Sequence, residues 1–185
     1  MVKYSCEVTE NVEKTVCARG NQLKASFKNT HQTGAAIRGK QLLEAKAYLQ
    51  AVLEKKRCIP FTRYNTGVGR TAQAKEFKLS QGRWPTKSVK LFLDLIQNLE
   101  SNAKAKGLNA DDLILSHVAV QRAICRRRRT FRAHGRISPY MSHPCHVEII
   151  CKPKVVAVPR ASDETHQDVK LSRAANKVRR LKIAH

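Results

Sequence analysis

The chain has 185 residues, 42% of them hydrophobic, with 36 Lys plus Arg against 14 Asp plus Glu and a formal net charge of +22. That excess favours a polyanionic partner, and the length fits one domain with extensions rather than two complete domains. A basic membrane-surface protein would need an apolar helix face with Trp, Phe or Leu opposite its cations, yet the only Trp, Trp84, stands beside Pro85 in a loop.

Alternation of Leu23, Ala25 and Phe27 with Lys24 and Ser26 predicts a short half-buried strand over Leu23–Phe27. A short helix follows around Ala35, Ala36 and Ile37, with Asn29, Thr30 and Thr33 as candidate N-caps and Gly39 as its end. Gln41 to Lys55 predicts a second helix, with Leu42, Ala45, Leu49, Val52 and Leu53 on one face and Pro60 beyond it as a stop. From Pro60 to Pro85 the periodicity is lost, and a flexible basic loop is expected. It carries Arg63, Arg70, Lys75, Lys78 and Arg83, and Tyr64 or Trp84 is available either to stack on a base or to pack. Its Gly67-Val68-Gly69-Arg70 lacks the Gly-Lys-Ser/Thr ending of a P-loop. Pro85 opens a third helix at its permitted first position, with Val89, Phe92, Leu93, Ile96, Leu99 and Ala103 as a core stripe and Gly107 as the close.

The stretch from Leu113 to Val147 holds no Asp or Glu and carries Arg122, Arg126, Arg127, Arg128, Arg129, Arg132 and Arg136, bracketed by two β-branched segments, Leu113 to Arg122 and Cys145 to Lys152. Paired antiparallel, they make a hairpin whose turn falls near Arg132 to Arg136, with Gly135 suited to a tight bend. Beyond the body each arm has about ten residues, so the tip projects on the order of 30 Å. Guanidinium groups roughly 7 Å apart repel by about 0.6 kcal/mol per pair in water, and no nearby acid offsets the sum. Arginine's fork matches phosphate oxygens and its face stacks on bases, so a nucleic-acid backbone is the expected counter-surface. RNA suits an irregular ribbon better than duplex DNA, since no recognition-helix motif is present. After Lys152 a basic tail with Arg179 and Arg180 is expected to order only on an acidic surface.

MVKYSCEVTE holds no apolar core of a secretory signal, and no run approaches the roughly 18 apolar residues of a membrane span. An intracellular protein without membrane insertion is expected. Six cysteines contain no Cys-x-x-Cys pair, and His143, Cys145, His146 and Cys151 fit no standard zinc spacing, so reduced thiols and no metal or other cofactor are expected. The acids are scattered, and no Ser-His-Asp or Cys-His arrangement is legible, so no enzyme is expected.

Ile37-Arg38-Gly39-Lys40 with Glu44-Ala45 and Leu49, then Asn102-Ala103, Gly107-Leu108 and Asp111, lead into RRRRTFRAHGRISPYMSHPCHVEII. This series resembles the universal large-subunit ribosomal protein family numbered twenty-two in bacteria and seventeen in the classical eukaryotic naming. It covers roughly Val16 to Pro153. PFTRYNTGVGR and GRWP are similar to its archaeal and eukaryotic branch, and the tail to the eukaryotic one. The resemblance implies an α+β fold of three helices packed on a small antiparallel sheet, as a single domain over 1–152, with a long hairpin and a basic extension over 153–185. It also implies an architectural role: binding large-subunit ribosomal RNA, supporting assembly, and lining the nascent-polypeptide exit tunnel beside neighbouring large-subunit proteins. Cytoplasmic ribosomes, with assembly in the nucleolus, are the implied location. The RNA-binding candidates are then Arg38, Lys40, Arg63, Arg70, Arg83, Arg122, Arg126, Arg127, Arg128, Arg129, Arg132, Arg136, Arg179 and Arg180. The tunnel-lining candidates are Arg128, Arg129, Thr130, Phe131, Arg132, Ala133, His134, Gly135, Arg136, Ile137 and Ser138, with nascent chains as further partners. The alternative is a transient RNA-binding assembly or processing factor.

Overall fold

Cys145–Pro153 alternates side chains between two faces that are both covered, and it runs through the middle of a three-stranded antiparallel sheet. The computed structural model describes residues 4–6 and 12–154, and its described elements belong to one unit that ends at Lys154. Seven strands, β1 (Val16–Leu23), β2 (Ile59–Pro60), β3 (Gly82–Arg83), β4 (Leu113–Arg122), β5 (Arg126–Phe131), β6 (Ile137–Ser142) and β7 (Cys145–Pro153), accompany three α-helices. These are α1 (Phe27–Ile37), α2 (Leu42–Leu53) and α3 (Thr86–Ala105), with short 3-10 turns between elements. The sheet order is β1-β7-β4, so the fold is α+β with helices on one face of a small antiparallel sheet.

Cys145, Val147, Ile149 and Cys151 of β7 join Val16 and Ala18 of β1 and Leu113 and Leu115 of β4 in the core, against the apolar faces of the helices. On α2 the buried face is Leu42, Ala45, Tyr48, Leu49 and Val52, and on α3 it includes Val89, Phe92, Leu95, Ile96, Leu99 and Ala103. Their spacing follows the 3.6-residue period read from the sequence. Lys46 Nζ bonds both carboxylate oxygens of Glu100 at 2.8 and 2.9 Å and pins α2 to α3. At Gly34 α1 rides close to the sheet: a Cβ there would lie 3.2 Å from Val118 and Val120 and 3.3 Å from Phe92.

Four expectations are corrected. The first strand is Val16–Leu23, not Leu23–Phe27, because β7 decides the pairing and its ladder with β1 ends at Leu23 opposite Cys145. Helix α1 begins at Phe27 with Ser26 at the N-cap position. The hydroxyls of Thr30 and Thr33 donate back to the carbonyls of Ser26 and Asn29 inside the helix instead of capping it. The 60–85 segment is folded rather than a flexible loop. β2 pairs with β3, a 3-10 segment spans Ala72–Phe77, and Gln32 Oε1 accepts from the amide and hydroxyl of Thr62. Phe61, Val68 and Ala74 are buried beneath it, a packing that its irregular periodicity hid. Pro85 occupies the N-cap position of α3, one residue earlier than expected.

The far face of the sheet carries one buried charge. Glu148 of β7 is 2% exposed, lies 3.3 Å from Arg19 Nε, and accepts from the Ser5 amide at 2.8 Å and hydroxyl at 2.7 Å. Burial opposes its ionisation, but Ser5, Arg19 and His117 outweigh that and hold the carboxyl below the ordinary value of 4.5. A depressed carboxylate pKa contributes stability above the unfolded value that is lost as pH falls through the folded one. In urea titrations, Glu148→Gln is therefore expected to lower stability at pH 7 and to flatten its decline below about pH 4.5. Glu148→Ala, which removes the acceptor of the two Ser5 hydrogen bonds and the Arg19 contact, is expected to cost about 2 kcal/mol. Parallel pH profiles for wild type and Glu148→Gln would contradict this account.

Candidate nucleic-acid interface

β4 and β7 hold the root of the ribbon through a ladder from Leu113 opposite Pro153 to Arg122 opposite Cys145. Residues 123–125 then face only residues 143–144, an extra residue of the kind that makes a bulge, before β5 and β6 resume pairing. The Ala123 amide donates to the Pro144 carbonyl at 3.1 Å across this joint. The turn falls where the sequence places it. Ala133–Gly135 forms the bend, with His134 and Gly135 at φ of 58° and 67°, and the Arg132 amide donates to the Arg136 carbonyl at 2.8 Å. Glycine adopts that left-handed conformation without steric cost.

All four of Arg126 to Arg129 are exposed, as are Arg122, Arg132 and Arg136. None has an ion pair among the described residues, where the five ion pairs lie in the body. Cross-strand register separates the two sides of the ribbon. One side carries Arg126 opposite Ser142, Arg128 opposite Tyr140 and Thr130 opposite Ser138, with the Arg128 guanidinium 5.2 Å from the Tyr140 ring centre. The other carries Arg127 opposite Met141, Arg129 opposite Pro139 and Phe131 opposite Ile137. Phe131 is 77% exposed and Ile137 55%, so the ribbon holds more uncovered apolar surface than its arginine count suggested. Where the ribbon leaves the body, Gln22, Lys24, Ile124, Arg126 and Arg128 border a concave surface of about 750 Å3.

The other candidate residues divide. Arg38 and Arg70 are exposed, and Arg38 edges a groove between α1 and β4 that also holds His31 and Val118. Lys40 is turned to the body, paired with Glu44 and 5.6 Å from the Tyr48 ring. Arg83 donates to the Gly67 carbonyl at 2.7 Å and lies over Phe61, so its side chain ties down the 60–85 segment. Trp84 donates its indole N–H to Gln73 and packs on the core, which settles its role as packing. Tyr64 sits edge-on to Phe27 and His31 at 6.0 and 5.5 Å, with Lys28 and Arg63 each 5.9 Å from its ring. Arg122 lies 5.1 Å over Phe27. This cationic and aromatic cluster joins segments remote in sequence, and only the nearness of Arg63 to Tyr64 was visible beforehand. Burial and the Arg63 charge push the His31 imidazole below its usual value. Arg179, Arg180 and the tail lie outside the described residues.

Cys58, Cys145 and Cys151 are buried in the packing, whereas Cys6 and Cys125 are exposed. Burial pushes Cys151 up to about 12, and it raises Cys145 against the opposing Thr30 hydroxyl, so both are un-ionised near neutral pH. Among the described residues no three His, Cys, Asp or Glu side chains converge as metal ligands, and no helix is long and apolar enough to cross a membrane.

Fold and surface together define an α+β protein whose densest run of exposed cations, Arg126 to Arg129, lies on a ribbon held by the core. The family model described as ribosomal protein L22p/L17e matches residues 18–152. Proteins named large ribosomal subunit protein uL22 match over nearly the whole chain. The Drosophila melanogaster protein is 53% identical over 173 residues, covering 94% of this chain and 92% of its own length. That of Suberites domuncula is 50% identical over 186 residues, covering 100% and 97%, and that of Theileria parva 52% over 173 residues, covering 94% and 92%. The chain belongs to the L22p/L17e family of large-subunit ribosomal proteins, which are structural constituents and not enzymes.

Each phosphate neutralised adds about 0.7 to 0.9 to the slope of log affinity against log salt. Replacing Arg126, Arg127, Arg128 and Arg129 by Gln is therefore expected to flatten that slope by about 3 in titrations with large-subunit ribosomal RNA. An unchanged slope would show that these side chains meet no phosphate.

Proposed function

We propose that this protein binds ribosomal RNA of the large subunit, helps organise RNA segments during assembly, and contributes its ribbon to the wall of the polypeptide exit tunnel. The observation that carries this reading is the exposed run Arg126–Arg129 on a two-stranded ribbon held by the core, with no ion-pair partner among the described residues. Membership in a large-subunit ribosomal family supports ribosomal RNA and neighbouring ribosomal proteins as the partners. In this reading residues 1–152 act as one domain that seats on RNA, and 153–185 as a basic extension. Arg38, Arg63, Arg70, Arg122, Arg126 to Arg129, Arg132 and Arg136 face phosphates, joined by Arg179 and Arg180 of the tail. Lys40 and Arg83 contribute more through the body. The segment Arg128 to Ser138 borders the path of nascent chains. The ribosome is the working location, with assembly in the nucleolus.

Cell extract sedimented on a gradient, with a high-salt wash and with nuclease, tests the first part. The protein is expected to stay with large subunits through the wash and to leave when RNA is destroyed. Release into light fractions at moderate salt would favour a transient factor instead. Deleting Arg126 to Ser138 removes no residue of the β1-β7-β4 sheet. The shortened protein is expected to enter subunits and to alter only the tunnel interior, whereas failure to assemble would make the ribbon an anchor rather than a wall element.

A further inference from the structure

We infer that the pocket at the root of the ribbon is a seat for one unpaired nucleotide of the RNA, a site distinct from the phosphate contacts along the arginine run. The inference rests on the RNA-binding reading above and adds a defined subsite to it. The pocket has a volume of about 510 Å3 and is bordered by Ser26, Phe27, Lys28, Arg122, Cys125 and His143. That volume lies in the range of small-ligand sites, about 300 to 1,000 Å3.

Its lining supplies each part of nucleotide recognition. Phe27 gives an aromatic ring, and Arg122 lies 5.1 Å from that ring's centre with its planar cation exposed. Bases stack on aromatic and guanidinium planes in single-stranded RNA, whereas bases inside a helix offer no free face. Lys28 and Arg122 place two cations for the phosphate, and no acid lines the pocket. His143 and Cys125, 3.3 Å apart between Nδ1 and Sγ, offer groups able to donate or accept toward a base edge. The Ser26 hydroxyl makes no capping bond to its own helix.

The seat is also held in place. The Phe27 amide donates to the His143 carbonyl at 3.2 Å, so the start of α1 is fixed to the joint between β6 and β7. Behind Phe27, His31 packs at a tilt at 5.9 Å and Tyr64 edge-on at 6.0 Å. A preformed stacking plane spares the ordering cost of binding.

The test is ultraviolet crosslinking of intact large subunits carrying this protein, with adducts read by mass spectrometry of peptide and attached nucleotide. Adducts on Phe27, Cys125 or His143 are expected to map to a single RNA position. Loss of base stacking lowers occupancy by about tenfold. Phe27→Leu is expected to show that drop while adducts on Phe131 and Tyr140 persist, and the exposed Arg122→Gln gives the same readout should Phe27→Leu fail to fold. Ribbon adducts without pocket adducts would overturn the nucleotide seat and leave the RNA-binding reading standing. Pocket adducts scattered over several RNA positions, adducts insensitive to both variants, or a peptide of a neighbouring protein in the pocket would also overturn it. Subunits yielding no adduct anywhere on this chain would overturn the RNA-binding reading itself.

Discussion

Everything that projects from the body depends on β7 being both the middle strand of the sheet and, with β4, the root of the ribbon. Among the described residues, its pairing with β4 carries the chain out of the core, and its pairing with β1 closes the other edge. Burying Val147 and Ile149 contributes about 1.5 to 3 kcal/mol each, with Cys145, Ile150 and Cys151 also inaccessible to solvent. The two same-side pairs, Arg126 with Arg128 and Arg127 with Arg129, cost about 1 kcal/mol together at the dielectric constant of water. Core burial therefore wins, and the arginines are held together on a structured arm.

That outcome leaves electrostatic repulsion unrelieved within the described residues. A partner that binds only the folded form and neutralises the ribbon stabilises it by mass action, so assembly and folding reinforce one another. The division of labour among the cations follows from where acids are. In the body, Lys40, Lys46 and Arg57 find Glu44, Glu100 and Glu76 and serve packing. On the ribbon no acid among the described residues pairs with an arginine, so the charge is available outward. Family membership and this distribution point to the same kind of partner by independent routes.

Regular elements with a strong period were legible in the sequence. The stripes of α2 and α3, the β-branched runs of β4 and β7, and a turn at Gly135 follow local rules that tertiary packing did not override. The 1-85 region was harder where pairing partners lay far off. β1 is set by residues more than a hundred positions away on β7, which no local alternation around Leu23 revealed. Likewise, Phe61, Val68 and Ala74 become core only because the 60–85 segment folds against distant helices. For the interface, the arginine run was plain from composition. The two unlike sides of the ribbon needed the register of Arg128 with Tyr140 and Phe131 with Ile137, and the Phe27, His31 and Tyr64 cluster needed the fold itself.

The central claim, that the ribbon forms part of the tunnel wall, is tested most directly with stalled nascent chains bearing a photo-crosslinker at successive distances from the peptidyl-transferase end. The account predicts adducts between one short window of those positions and the turn Arg132 to Arg136 of this protein. Adducts with other components at every position, and none with the ribbon, would contradict it.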